Sequence, residues 1–270
     1  MILLTSFAAR ADFSLVVTRR ATAGSFANLF PGVNEVTKCY WKGERMMVDT
    51  SAMATVIDFE TQTVTTLNRT LKLWGVKKMN LREESKSAGV WLLLPEVRLT
   101  GQQKQIAGFM ASEAKGSTFI EGQVLVGGPT MKVQVDHEAW VSADVPGLSE
   151  MHAFFRQHAH DFPWSELVTG TSPATEIERA RLRLVLPDSQ GVLIKEIIRI
   201  RLPDVPQIGP MPEMNPVRAT RMQEVIDNMV KAAKWGAALL EVTTDVTQLS
   251  TASLPDSVFA IPEGYSQMAE

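Results

Sequence analysis

The sequence predicts a mainly β fold with some α-helix (α+β), built as an antiparallel sheet on which helices pack. Three observations carry this. Apolar and polar residues alternate with period two over many short runs, brief turn signals separate the runs, and two stretches repeat apolar residues at helical spacing. Consecutive short strands joined in this way make a meander, not a parallel βαβ sheet.

The elements follow in chain order. Ile2 to Ala9 is a short apolar stretch, and Ala9-Arg10-Ala11 supplies small residues at the two positions a signal peptidase reads before Asp12. Residues 1–11 are expected to be a signal-peptide remnant, residues 12–270 a single β-rich domain, and the protein periplasmic or secreted. Strands are expected at Phe13 to Thr18, Glu35 to Trp41 and Arg45 to Asp49. A hairpin follows, with arms Ala54 to Phe59 and Val64 to Leu67 around Glu60-Thr61-Gln62-Thr63. Further strands are expected at Trp91 to Leu99, Phe109 to Ala114 and Met131 to Val141. A helix over Ser149 to His160 comes after Pro146-Gly147 and is ended by Pro163. Arg181 to Leu186 and Ile198 to Leu202 alternate apolar with charged residues around the turn Pro187 to Gly191, which predicts a long antiparallel hairpin. Pro203, Pro206, Pro210, Pro212 and Pro216 make the segment 203–216 an extended crossing that cannot pair as a central strand. Asn215-Pro216 is a cap and first-turn pair, and Met222, Val225, Ile226, Met229, Val230, Ala233 and Ala237 recur at helical spacing, so a helix is expected from Pro216 to Leu240.

Composition excludes several classes. With 270 residues, 45% hydrophobic and 21% charged, the chain can bury a sizeable core. A net charge of −3 and scattered Lys and Arg leave no basic field for nucleic acid. No apolar run approaches the roughly 20 residues that cross a bilayer, so the chain is expected not to span a membrane. Cys39 is the single cysteine, which excludes an internal disulfide and reads as a small hydrophobe on a strand.

Reaction signatures are missing: there is no Gly-x-Ser-x-Gly elbow, no phosphate loop and no paired-cysteine zinc spacing. Glu150, His152, His158, His160 and Asp161 come nearest to a metal cluster. On a helix, however, His158 and His160 diverge by about 200°, and His152 and His160 sit roughly 12 Å apart along the axis, so no metal and no cofactor are expected. His158 shares the apolar side with Met151, Phe154 and Phe155. His137 takes the apolar parity of its strand with Val133, Val135 and Ala139, opposite Asp136, Glu138 and Trp140, and should point inward as a hydrogen-bonded core histidine. Clustered carboxylates with His137 in an open cleft would instead point to an enzyme.

Several short motifs stand in a familiar order. Lys42-Gly43-Glu44-Arg45-Met46 leads to Thr55-Val56-Ile57-Asp58-Phe59-Glu60 and Thr65-Thr66-Leu67-Asn68. Lys104-Gln105-Ile106-Ala107-Gly108-Phe109 follows, then Glu138-Ala139-Trp140, Asp144-Val145-Pro146-Gly147 and Phe259-Ala260-Ile261-Pro262-Glu263-Gly264-Tyr265. This order resembles a family of uncharacterised secreted bacterial proteins, a domain of unknown function that in turn looks like the periplasmic lipoprotein-carrier (LolA-like) architecture. Where relatives often carry Cys after the Gly108-Phe109 turn, this chain has Met110 and Ala111. The resemblance implies a curved antiparallel sheet forming an incomplete barrel, covered on its concave side by helices, where carriers receive acyl chains. On that basis Leu184, Leu186, Ile198 and Ile200 of the sheet and Met222, Val225 and Met229 of the helix are expected to line a site for a lipid or other apolar ligand. The alternative is an envelope structural or protein-interaction domain with a protein partner and no ligand, and a hydrolase of unrecognised type is the third class.

Overall fold

Short turns set successive strands side by side. Gly43, at φ +58°, opens the two-residue turn between β2 (Glu35–Lys42) and β3 (Arg45–Asp49). β4 (Met53–Asp58), β5 (Thr63–Asn68) and β6 (Leu73–Lys78) are joined by two near-identical turns. In each, an Asx side chain closes the turn: Asp58 accepts from the Thr61 N–H and Asn68 from the Leu71 N–H, both at 2.9 Å. Gln62 and Lys72 then take the left-handed conformation at φ 53° and 52°. The chain thus repeats one strand-and-turn unit every ten residues, a period the strand pattern alone did not bring out.

The structure is a computed structural model that describes residues 12–24, 34–79, 96–123, 130–158, 191–205 and 215–268. The remaining strands are β1 (Phe13–Ala23), β7 (Arg98–Ile106), β8 (Phe109–Gln123), β9 (Thr130–Ser142), β10 (Val192–Arg201), β11 (Ala238–Ser250) and β12 (Ser266–Gln267). With α1 (Leu148–His158) and α2 (Pro216–Trp235) they build one open twelve-stranded sheet in the order β12-β6-β5-β4-β3-β2-β1-β11-β10-β9-β8-β7. Pairing is antiparallel throughout except for β12, which adds parallel to β6. β6 to β1 and β11 to β7 each run consecutively across the sheet and meet where β1, lying between β2 and β11, pairs with β11.

The α+β, LolA-like expectation is corrected here: the fold is mostly β, and its sheet is single, open and mixed, not an incomplete barrel roofed by helices. One reason is where the helices sit. α1 packs Met151, Phe154 and Phe155 on Phe13, Trp41, Met46, Val192 and Ile194. α2 packs Met229 and Ala232 on Val133, Leu202 and Leu239 near the opposite strand ends, and these two are its only fully buried side chains among those described. A second reason is a strand the helical period concealed. α2 ends at Trp235, where Gly236 (φ 59°) takes the left-handed cap position and its N–H bonds back to Ala232 and Ala233. Leu239 and Leu240 therefore begin β11 and do not close a helix running to Leu240. The start of α2 follows expectation: Asn215 caps by accepting from the Val217 N–H at 2.9 Å, with Pro216 in the first turn.

The expected hairpin of Arg181–Leu186 with Ile198–Leu202 is also corrected. Both edges of β10 are taken, by β9 and by β11, so Ile198 stands between His137 and Val242. Leu184 and Leu186 lie outside the described residues, as do residues 1–11, the run 91–95, His160, Asp161, Pro163 and most of the proline-rich crossing.

The sheet has unlike faces. Phe13, Leu15 and Val17 of β1 share one face with Val242, Ile198 and His137, and both helices pack there. On the other face, residues 251–268 run back across β2 to β6, packing Leu254, Val258, Phe259 and Tyr265 on Met47, Ala54, Val56 and Leu67. Asp256 anchors this return by ion pairs to Arg45 at 2.5 Å and Lys42 at 3.3 Å. Beyond that return, the same face over β8 to β11 is polar. Among the described residues, no helix is long and apolar enough to cross a membrane.

Candidate functional site

Strand alternation sends the polar parity of β8, β9, β10 and β11 to this second face, and the register sets opposite charges beside one another. Lys115 stands across from Glu138, Ser117 from Asp136, and Arg199 from Asp136 on one side and Glu241 on the other. Arg199 donates through Nε to Glu241 at 2.5 Å and through Nη1 to Glu138 at 3.2 Å. Trp140 Nε1 donates to the other oxygen of Glu138 at 3.0 Å, and Thr22 donates to Glu241 at 2.7 Å. Asp136 Oδ1 accepts from Ser117 at 2.8 Å and from Gln134 at 2.7 Å. Lys115 pairs with Glu113 at 2.8 Å, and the Lys104 ammonium sits 3.7 Å from the centroid of the Trp140 ring. Between these side chains is an open cleft of about 340 Å³, lined by Lys115, Gly116, Ser117, Asp136, His137, Glu138 and Arg199.

Three carboxylates of this face, Glu113, Glu138 and Glu241, are lowered below their ordinary range. Burial pushes Glu138 up, but hydrogen bonds from Trp140 and Arg199 and the charges of Arg199 and Lys115 outweigh it and leave it below its ordinary range. Glu241 is lowered in the same way, against burial, by Thr22 and Arg199. Glu113 is lowered chiefly by its bond from Lys115. A proton-transfer group needs a pKa drawn toward neutrality, whereas these are drawn away from it.

His137 meets the carboxylates of the cleft in sequence but not in space. Asp136, His137 and Glu138 alternate across the strand, so the imidazole projects to the helix-bearing face and its neighbours to the cleft. There His137 Nε2 is 2.9 Å from Glu196 Oε1, with both residues buried (4% and 1% exposed) beside Thr244 in the next strand. Among the described residues the Nδ1 atom has no hydrogen-bond partner. His158 is buried, stacks on Phe59 at 3.8 Å between centroids and pairs with Glu44 at 3.0 Å. His152 is turned toward Gly191, and no three His, Cys, Asp or Glu residues among those described are placed to hold a metal ion.

Of the residues expected to line an apolar site, Ile200, Val225 and Met229 come together with Val133, Leu202, Ala232 and Leu239. Ile198 is buried in the sheet between His137 and Val242, and Met222 is half-buried on α2. Sequence reasoning did not select Lys115, Ser117, Glu138 or Arg199. The polar parity of Glu138 and Arg199 was legible, whereas Lys115 and Ser117 lie beyond the expected strand Phe109 to Ala114, and the juxtaposition of all four depends on which strands are neighbours.

No family model matches the chain, and no curated protein does. Among solved structures there is a likeness to PNGF-II in a C2 crystal form, at 8% identity and a TM-score of 0.33, covering 95% of this chain and 30% of that one. The chain thus spans 30% of the length of PNGF-II, and a likeness at this level carries no argument about fold or function.

Proposed function

We propose that this chain is a non-catalytic binding domain that engages its partner on the open polar face of the sheet, and not a carrier that encloses an acyl chain. The observation behind this reading is the filling of the space between α2 and the sheet. Met229 is 1% exposed and Leu239 likewise 1%, with Val133, Leu202 and Ala232 closing around them. A guest there would have to displace packed side chains, at a cost comparable to the burial it gains. The cleft over β8 to β10, by contrast, is open and lined by oriented donors and acceptors.

The test is direct. Lipid extraction of natively purified protein should yield no stoichiometric lipid, and a fluorescent fatty acid should show no saturable binding to the delipidated chain. One lipid per chain, lost on Met229→Trp, would overturn the reading and restore the carrier. The pattern Ile2 to Ala11 supports action in the periplasm or outside the cell, which an intact mass beginning at Asp12 in the envelope fraction would check.

A further inference from the structure

We propose that the cleft between Lys115, Ser117, Asp136, Glu138 and Arg199 binds a neutral polyhydroxylated ligand, a short stretch of glycan chain. This rests on the binding-domain reading and specifies its ligand class. The lining side chains carry two positive and two negative charges, so the cleft has no net charge to offer an ion. Each charge is already committed. An anion would compete with Glu113 for Lys115, at 2.8 Å, and with Glu138 and Glu241 for Arg199. A cation would compete with Ser117 and Gln134 for Asp136. A hydroxyl group avoids both contests, because it donates to a carboxylate and accepts from a guanidinium without displacing either partner.

Unused valences remain for such a group. Among the described residues, Arg199 bonds through Nε and Nη1, leaving further N–H groups of its five. Asp136 Oδ1 accepts two bonds, while Oδ2 faces Arg201 Nε at 3.4 Å, and that nitrogen has no hydrogen-bond partner among the described residues. The site also has an apolar platform. Phe119 follows Ser117 on the same face of β8, about 7 Å along the strand, and is 53% exposed with the Lys132 ammonium 4.5 Å from its ring centroid. Sugar rings present C–H faces to an aromatic ring and hydroxyls at their rims, a combination that suits Phe119 next to the cleft. At about 340 Å³ the cleft is at the small end of ligand sites, which fits a few rings of a chain and not a large compact molecule.

The experiment uses the full ¹⁵N-labelled chain, titrated separately with cellotetraose, chitotetraose, inorganic phosphate and a fatty acid. One of the oligosaccharides should shift the amides of Gly116, Ser117, Asp136 and His137. Asp136→Asn should weaken that binding about tenfold, and Phe119→Ala, at a side chain 53% exposed, about threefold or more. Failure of both oligosaccharides at millimolar concentration, or binding unchanged in both variants, overturns the proposal. If phosphate alone shifts the cleft amides, the ligand class is wrong while the binding-domain reading stands. If no hydrophilic probe touches the cleft and the fatty acid saturates the interior, both fall.

Discussion

Replacing Met229 by Trp asks whether the space under α2 is packed or vacant. Met229 is 1% exposed against Val133, Leu202, Ala232 and Leu239, and full burial of such a side chain contributes about 1.5–3 kcal/mol. In a filled site the larger indole must push its neighbours off their rotamers, at a cost of about 1–3 kcal/mol. For a chain of this length that is a fall in Tm of several degrees, at about 2–4 °C per kcal/mol. Met229→Leu, which nearly conserves volume, should cost under about 1.5 kcal/mol, and Met229→Ala about 2–5 kcal/mol. Urea midpoints with reversibility checked by refolding would give the series, with Trp lying between Leu and Ala. A Met229→Trp protein as stable as its parent, or more so, would mean that the indole enters empty space, and the packing argument would be refuted.

Three further outcomes follow from the geometry. His137→Ala should leave the Glu196 side chain, 1% exposed, without its hydrogen bond to the imidazole and cost about 1–3 kcal/mol; an unchanged urea midpoint would show that the pair is not energetically coupled. Burial, and then the positive charge of Arg156, hold His152 below its ordinary value against a bond to Gly191. The unfolded chain therefore binds more protons than the folded one as pH falls through the unfolded value near ~6.5, so this stability is present above that pH and lost below it. His152→Gln should flatten the decline in urea midpoint between about pH 7.5 and 5.5, and an unchanged slope would exclude His152 as its source. Ala107 is held at φ 52° before Gly108 at φ 88°, a turn that asks for Asn-Gly. Ala107→Asn should therefore add about 0.5–1 kcal/mol, and a lower midpoint would contradict the turn assignment.

Local chemistry was legible in the sequence because it acts over a few residues. The alternation at Ala54 to Leu67, with Asp58 and the turn after it, specified β4 and β5. Asn215-Pro216 specified the start of α2, and the parity of Val133, Val135 and His137 specified which way His137 points. The far end of α2 was harder. Leu239 and Leu240 fit a helical period as well as a strand buried on both faces, and the one discriminating signal was Gly236 with its left-handed cap. Neighbour choice was not legible at all. The run 181–186 alternates as well as β9 or β11 does, yet β10 pairs with the latter two, because a strand has only two edges and burial across the whole sheet decides which partners fill them. The cleft inherits that dependence. Lys115, Glu138, Arg199 and Glu241 come from four strands whose register alone makes them neighbours. Alternation assigned Glu138 and Arg199 to a face, while Lys115 and Glu241 lie beyond the strand and helix expected there; only the long-range pairing, which no local window of sequence contains, assigned the four to one another.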